Sequence, residues 1–267
     1  MIKLIVTDMD GTLLGENGMF PPYFMSVFEE LERRNILFCV ASGRQYSSLL
    51  QFFEPIKEKI GFIAENGAFT LLKNDILNEI SISSYHIHKI IDTCSKISHL
   101  GVALCGKKSA YLSTSDPYIE EQVKIHYNQV EMVKNLSDID DTIFKITICD
   151  RLGARFHSLP KLLPFANEGL RVALSGTNWI DINNISANKG IAIGIIQEKL
   201  GISKEETMVF GDFLNDLEMM RMAHFSYAMK NAQPEVKAEA NFETDEDNTQ
   251  FGVLKTICNM LKFPFKS

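Results

Sequence analysis

The sequence predicts an α/β fold with a doubly wound parallel-sheet core, Rossmann-like in its alternation of strands and helices, and an inserted α/β domain. Short apolar runs alternate with amphipathic segments over residues 1–83, the pattern changes over residues 84–183, and it resumes from residue 184. Continuously apolar strands joined by helices are typical of a parallel sheet covered on both faces. We therefore expect a discontinuous core of residues 1–83 and 184–267, and an inserted cap domain of residues 84–183.

Each predicted element follows from its hydrophobic pattern. Strands are predicted at short, nearly all-apolar runs, and helices where apolar residues recur every three or four positions. The first half of the core is expected to contain a strand at 2–7, a helix after Pro21 and Pro22 to about residue 34, a strand at 36–41, a helix near 45–53, a strand at 61–64, and a hairpin-like pair at 68–72 and 76–82.

The insertion and the second half of the core differ in texture. In the insertion, longer helical segments are interspersed with strands expected at 102–104, 110–113, 144–149, 170–173 and 179–183. The core pattern then returns as a helix at 187–200, a strand at 207–210, a helix at 213–222 and a strand at 225–228, and residues 243–248 are predicted to form an acidic surface loop.

Composition limits the classes of partner. The 267 residues include 27 Lys and Arg against 34 Asp and Glu, which gives a net charge of −7 at pH 7. Such a chain has no broad positive field to attract nucleic acid or an anionic membrane. A bound phosphate would need a metal ion, a lysine or a helix N-terminus. We expect a small phosphorylated metabolite as ligand, and neither nucleic acid nor membrane as partner.

Cysteine usage and the N-terminal residues suggest a compartment. The cysteines number five, an odd count, and form no CxxC pair, which favours a reducing environment. The chain begins directly with a strand-like run, and no later run approaches the ~20 apolar residues needed to cross a bilayer. We therefore expect a cytoplasmic protein.

Two carboxylates, Asp8 and Asp10, come directly after the first predicted strand and are followed by Gly11 and Thr12. In open α/β sheets, ligands bind at this carboxyl edge. A carboxylate can attack phosphorus to give an aspartyl-phosphate, while a second carboxyl protonates the leaving alkoxide and later accepts a proton from water. The pair suits this division of labour if one carboxyl stays ionised and the other holds a proton.

The positive charge that such an attack needs is predicted from two further motifs. Gly211-Asp212 also ends an apolar strand, so Asp8 and Asp212 together predict a Mg²⁺ site. Lys189 opens the preceding helix, where the helix dipole disfavours a cation, and this mismatch indicates a function. Ser42 could donate a hydrogen bond to a phosphoryl oxygen; the alternative for Ser42 and for Asp212 is a helix cap.

In their order and spacing, these motifs resemble the haloacid-dehalogenase-like superfamily, in its Cof-like sugar-phosphate phosphatase branch with an α/β (class II) cap. The motifs are Asp8-x-Asp10-Gly-Thr-Leu, Ala-Ser42-Gly-Arg44, Lys189-Gly190 and Gly211-Asp212-x-x-Asn215-Asp216. Secondary marks are Glu65-Asn66-Gly67-Ala68, Met229-Lys230-Asn231-Ala232 and Asn248-Thr-Gln-Phe-Gly252-Val. Together they extend over nearly all of the core.

The resemblance implies a role for each motif residue. Asp8 would be the nucleophile and a Mg²⁺ ligand, Asp10 the general acid/base with its backbone carbonyl on the metal, and Asp212 the remaining protein ligand. Asp216 would support the metal's water shell or the lysine. The substrate would be held by Ser42, Gly43, Arg44, Lys189 and Asn215, and the cap residues Asn178, Asp181 and Asn183 could meet the leaving group, although polar residues near a domain junction often cap strands and turns.

Three functions are compatible with these residues. The first is a Mg²⁺-dependent phosphatase acting on a sugar phosphate or similar phosphomonoester. The second is a phosphomutase or phosphotransferase, which would pass the same aspartyl-phosphate to a sugar hydroxyl instead of water. The third is a phosphometabolite-binding regulator without turnover, which has no need of an acid/base pair.

Overall fold

The structure is a computed structural model that describes residues 1–127 and 129–263. The chain forms two compact units. The first unit contains Met1–Arg44, Phe53–Asn78 and the chain from Asn188 onward, and the second contains Gln45–Phe52 and Glu79–Ala187.

Strands and helices follow one another along both units. The strands are β1 (Leu4–Thr7), β2 (Leu37–Ala41), β3 (Gly61–Ala64), β4 (Phe69–Leu72), β5 (Asp75–Glu79), β6 (Leu100–Gly106), β7 (Ala110–Leu112), β8 (Val130–Met132), β9 (Ile143–Asp150), β10 (Leu170–Gly176), β11 (Trp179–Asn184), β12 (Thr207–Gly211), β13 (Phe225–Ala228) and β14 (Phe242–Glu243). The α-helices are α1 (Phe24–Arg33), α2 (Tyr46–Phe52), α3 (Ser84–Ser95), α4 (Pro117–His126), α5 (Leu159–Leu162), α6 (Lys189–Leu200), α7 (Leu217–Met220), α8 (Pro234–Glu239) and α9 (Gly252–Leu261).

The first unit is built on an eight-stranded sheet in the order β14-β13-β12-β1-β2-β3-β4-β5. All neighbouring pairs from β14 to β3 are parallel, and β4 runs antiparallel to β3. The chain continues to β2 and β3 on one side of β1 and to β12 and β13 on the other. The predicted doubly wound parallel sheet is confirmed, and β1 lies at the point where its strand order reverses, which is where such sheets bind ligands.

Hydrophobic patterning explains why these residues form the core. Every residue of β1 and β12 is buried, as expected for central strands with helices on both faces. In α1 the buried residues Phe24, Val27, Phe28 and Leu31 recur at helical spacing and form one stripe. This stripe packs on the sheet, where the rings of Phe24 and Phe38 lie 5.6 Å apart in an edge-to-face arrangement.

The second unit contains a six-stranded sheet in the order β10-β11-β9-β6-β7-β8. Its pairs are antiparallel except β7 with β8. Residues of α3 and α5 join one apolar cluster with alternate residues of this sheet, and residues of α4 join another. The second unit therefore has its own core and is an α/β structure in its own right.

Three predicted segments differ from the observed ones. The helix predicted at 213–222 is a 3-10 turn (Leu214–Asp216) followed by the short α7, because the Asp216 side chain accepts hydrogen bonds from the backbone of Asp212 and Phe213 and so stabilises a turn. The predicted acidic loop begins inside β14, whose pairing with β13 was not predicted. The hairpin strand predicted at 76–82 is β5, which ends at Glu79.

Helices α8 and α9 were also not predicted. In the described parts of the chain, helix length and apolarity fall short of what a membrane crossing requires.

Candidate active site

The ends of two neighbouring strands bring three carboxylates together. Thr7 of β1 lies opposite Phe210 of β12 in a parallel register, and the Asp8 amide donates to the Phe210 carbonyl at 2.9 Å. Asp8 and Asp212 therefore leave the sheet at the same edge. Asp8, Asp212 and Asp216 each offer a carboxylate oxygen, and the three oxygens all lie within 4.8 Å of one another.

Lys189 is completely buried between two of these carboxylates. Its Nζ donates to Asp8 Oδ1 at 2.5 Å and to Asp216 Oδ1 at 2.6 Å. Lys189 is the first residue of α6, a helix whose N-terminus is capped by Asn188, which accepts from the Ile191 amide. The helix dipole opposes a cation here, so the paired carboxylates account for its position.

A glycine allows α6 to approach closely enough to place this lysine. A Cβ built on Gly190 would lie 2.5 Å from the backbone oxygen of Glu218 in α7, a distance that real Cβ atoms do not show. Any larger residue at position 190 would push α6 away from α7. In the Lys189-Gly190 motif, the lysine provides the ammonium, and the glycine allows the close helix packing that places this ammonium between Asp8 and Asp216.

Asp216 connects the lysine to the loop after β12. Its Oδ1 accepts from Lys189, and its Oδ2 accepts from the amides of Asp212 and Phe213 at 2.9 and 3.1 Å. A Cβ on Gly211 would lie 2.6 Å from atoms of the Asp216 side chain, so glycine is required for this turn. Asp216 is fully buried and fixes both the ammonium of Lys189 and the backbone of Asp212.

Burial dominates the electrostatics of the cluster. It raises the pKa of the Asp8 carboxyl to about 8, with Lys189 opposing this rise and Asp216 adding to it. It also raises the pKa of Asp212 to about 6, against a hydrogen bond from Thr12. Burial alone would lower the pKa of Lys189, but the carboxylates of Asp216 and Asp8 raise it above its ordinary value. Lys189 is therefore an ammonium, and in the absence of a further cation Asp8 holds a proton near neutral pH.

Asp10 lies apart from this cluster and is paired with Arg44. The guanidinium Nε donates to Asp10 Oδ2 at 2.8 Å and Nη2 donates to Asp10 Oδ1 at 2.6 Å. Arg44 was predicted to bind substrate, so its contact with the predicted acid/base is a new finding. Gly11 follows with φ 78°, and a Cβ there would lie 2.5 Å from an Asp212 carboxylate oxygen.

The serine motif and a neighbouring turn lie at the end of β2. Ser42 is buried, and its Oγ accepts from the Arg44 amide at 3.2 Å, which leaves its hydroxyl proton available to an acceptor. Gly43 faces the Asn66 side chain, since a Cβ on Gly43 would lie 3.1 Å from Asn66 Oδ1. Asn66 has a left-handed backbone (φ 57°) and accepts from Asn215 Nδ2 at 2.9 Å.

Two contributing residues were not singled out from the sequence. Thr12 Oγ1 donates to Asp212 Oδ1 at 2.7 Å, and Asn231 Nδ2 donates to the Gly11 carbonyl at 2.8 Å. Both belong to motifs quoted for the resemblance, and that membership was the available signal. Their partners depend on which strands are neighbours, which the motifs alone do not state.

The predicted cap residues lie in the second unit. Asp181 in β11 accepts from Thr147 Oγ1 at 2.9 Å, and Asn178 Nδ2 donates to the Tyr118 hydroxyl at 3.4 Å. Asn183, also in β11, is buried. Their role towards a substrate stays a prediction.

A parallel α/β sheet that gathers three carboxylates and a buried lysine at its switch point is an arrangement suited to phosphoryl chemistry. Comparison with known proteins identifies the class. A sequence model of the haloacid dehalogenase-like hydrolases matches residues 5–257. The chain belongs to this family, as its motifs indicated, and it is a phosphoric monoester hydrolase.

Individual relatives match along nearly their whole length. The chain is 32% identical over 266 residues to the 5-amino-6-(5-phospho-D-ribitylamino)uracil phosphatase YbjI of Escherichia coli K12, covering 98% of this chain and 97% of that protein. It is 27% identical over 262 residues to the phosphatase YcsE of Bacillus subtilis 168, named for the same substrate, covering 96% and 94%. The crystal structure of SMU.1108c from Streptococcus mutans UA159 superposes with a TM-score of 0.86 at 32% identity, covering 98% of this chain and 100% of that one.

Proposed function

We propose that this protein is a cytoplasmic, Mg²⁺-dependent phosphatase that hydrolyses a small phosphorylated metabolite through an aspartyl-phosphate on Asp8. The observation that carries the proposal is the grouping of Asp8 with Lys189, Asp212 and Asp216 at one end of the parallel strands. A nucleophile, a fixed cation and additional carboxylate ligands are thereby within reach of one phosphoryl group.

The carboxylate set fits a hard divalent cation. Three carboxylates and one ammonium leave an excess of two negative charges when all are ionised. Burial is the main cause of the raised pKa of Asp8 and Asp212, and repulsion from neighbouring carboxylates adds to it, as expected for such a surplus. Mg²⁺ prefers oxygen ligands, which Asp8, Asp212, Asp216 and the Asp10 backbone carbonyl could supply. When bound, the ion would neutralise charge on the phosphoryl oxygens and on the attacking carboxylate.

The chain's own residues divide the remaining work. An Asp8 oxygen forms a bond to phosphorus as the bond from phosphorus to the leaving oxygen breaks, and Asp10 gives its proton to that oxygen. Water then attacks the phosphorus, transfers a proton to Asp10 and releases Asp8. Lys189 and the Ser42 hydroxyl stabilise the phosphoryl oxygens throughout. Gly43 and Asn215 help to shape this pocket, Asn215 being held by Asn66.

We propose a ribityl phosphate monoester as substrate, specifically 5-amino-6-(5-phospho-D-ribitylamino)uracil. Two relatives from different bacteria carry this substrate in their names. The predicted cap, residues 84–183, is proposed to select the substrate. Initial rates with this compound, with other sugar phosphates and with flavin mononucleotide test the assignment, and a higher kcat/KM for another phosphate ester would replace it.

The reaction class is tested with p-nitrophenyl phosphate. We expect Mg²⁺-dependent release of phosphate that EDTA abolishes and that Asp8→Asn removes, whereas Asp92→Asn, at an exposed position on α3, retains it. Normal turnover by Asp8→Asn would contradict the nucleophile. Transfer of phosphate to an added sugar in preference to water would indicate a mutase or transferase.

A further inference from the structure

We propose that Arg44 is a positioning residue that fixes the carboxylate of Asp10 for proton transfer, and that it acts through Asp10 instead of binding the substrate. The inference deepens the proposed function and rests on it, since it assumes that Asp10 is the general acid/base. The observation behind it is the bidentate hydrogen bonding between the Arg44 guanidinium and the Asp10 carboxylate.

Asp10 needs an external support because its surroundings do not hold it. Its side chain is 56% exposed and its carboxylate lies outside the cluster that Asp8 forms with Asp212 and Asp216. A side chain that exposed can sample several rotamers, whereas a general acid must meet the leaving oxygen in one geometry. Without a partner, Asp10 would spend much of its time in unproductive orientations.

Arg44 supplies that support through two parallel hydrogen bonds from its guanidinium, an arrangement called here the fork. Nε reaches Asp10 Oδ2 at 2.8 Å and Nη2 reaches Asp10 Oδ1 at 2.6 Å, which fixes the position and the plane of the carboxylate. A carboxylate has about four lone-pair sites, and the fork uses one on each oxygen. Each oxygen therefore keeps a site for the transferred proton while the group is held.

Arg44 can act as a support because its own backbone is anchored on two sides. Its amide donates to Ser42 Oγ at 3.2 Å, and its carbonyl accepts from the Glu65 amide at 3.1 Å. The same serine is proposed to contact the phosphoryl group. The short, hydrogen-bonded backbone segment Ser42-Gly43-Arg44 thus fixes the position of the Asp10 carboxylate relative to the proposed phosphoryl site at Ser42.

This role predicts a dependence on the leaving group. An alkoxide must be protonated as it departs, whereas p-nitrophenolate is stable enough to depart with little help. Loss of the support should therefore slow hydrolysis of a primary alkyl phosphate such as glycerol 3-phosphate far more than hydrolysis of p-nitrophenyl phosphate. A residue that bound the phosphate or the substrate as a whole would affect both esters alike.

The test measures kcat and KM for both esters at saturating Mg²⁺ in Arg44→Gln, Arg44→Lys, Asp10→Asn and the double variant Asp10→Asn/Arg44→Gln. We expect Arg44→Gln to lower kcat/KM for the alkyl ester by about tenfold or more beyond its effect on the aryl ester, because kcat/KM reports the step in which the leaving oxygen is protonated, whereas hydrolysis of the aspartyl-phosphate is common to both esters. Arg44→Lys should recover only part, because an ammonium cannot form the fork. The double variant should be no slower than Asp10→Asn.

Arg221→Gln is the matched control, since Arg221 forms the same fork with Glu239 at 2.8 and 3.1 Å on an exposed surface. It should leave both esters unaffected. The inference is overturned if Arg44→Gln raises KM equally for both esters, if its effect multiplies with that of Asp10→Asn, or if it behaves like Arg221→Gln. Asp8→Asn in the same assay separates the two proposals: activity in that variant refutes the proposed function itself.

Discussion

Replacing Lys189 with methionine should destabilise the protein strongly. Methionine is of similar length and apolar, so it fills the space of the lysine stem but removes the ammonium shared by Asp8 and Asp216. Asp216 is fully buried and would keep its two amide donors but lose its cation. Removing one partner of a buried ion pair costs about 3–5 kcal/mol, because it leaves an uncompensated charge.

The expected loss lies at the low end of that range. Lys189 opposes the rise in the pKa of Asp8, so without the lysine Asp8 stays protonated near neutral pH, and the remaining amide hydrogen bonds stabilise Asp216. We therefore expect a loss of about 3 kcal/mol in the free energy of unfolding, which lowers Tm by roughly 6–12 °C at about 2–4 °C per kcal/mol. Thermal unfolding followed by circular dichroism in EDTA measures this shift.

Two variants make the prediction refutable. Lys199→Met changes an exposed lysine on the same helix and should shift Tm by about 2 °C or less. Adding Asp216→Asn to Lys189→Met should restore part of the lost stability, because a neutral amide needs no counter-ion. A Tm of Lys189→Met equal to that of Lys199→Met would refute the reasoning, and so would a double variant that is less stable than the single one.

Three further predictions concern charge and backbone. A cation displaces the proton from Asp8, so the apparent Mg²⁺ association constant should fall by about tenfold per pH unit below about 8. Calorimetry in two buffers should show the release of that proton. Equal affinity at about pH 6 and about pH 9 would contradict this prediction. The raised pKa values of Asp8 and Asp212 mean that the folded state binds these two protons more tightly than the unfolded chain does. The stability that this proton binding gives is present below the unfolded pKa of the two carboxyls and is lost as pH rises towards about 8. Tm measured in EDTA should therefore fall over that window. Gly67→Ala should lower both Tm and kcat more than Gly201→Ala does. Both glycines have positive φ, but only a Cβ at position 67 would meet a neighbour, the Asn188 backbone oxygen at 2.2 Å, beside Lys189. Equal effects of the two substitutions would argue against a steric requirement for glycine at position 67.

The parts of the site that follow directly from strands could be predicted. Asp8 and Asp212 each come after a fully buried strand, and parallel strands end at the same edge, so both carboxylates were expected at one edge of the sheet. Lys189 was predicted from its position at a helix start, where a cation is disfavoured. These inferences depend on local sequence and on one general property of parallel sheets.

The remaining contacts depend on information that local sequence lacks. The fork between Arg44 and Asp10 forms because β2 is the neighbour of β1, and strand order is a property of the whole sheet. The Asn66 side chain lies against Gly43 and accepts a hydrogen bond from Asn215, a residue distant in sequence. Side-chain hydrogen bonding at Asp216 likewise replaced a predicted helix by a turn.

The grouping of α2 with the second unit has a practical consequence for dissecting the protein. Residues 45–52 belong to that unit although the residues on both sides of them belong to the first, so the chain passes between the units four times. A deletion of residues 79–187 would therefore leave α2 without the unit against which it packs. A gene fragment for residues 79–187 alone would lack α2. Any attempt to exchange the second unit between relatives needs two grafted segments instead of one.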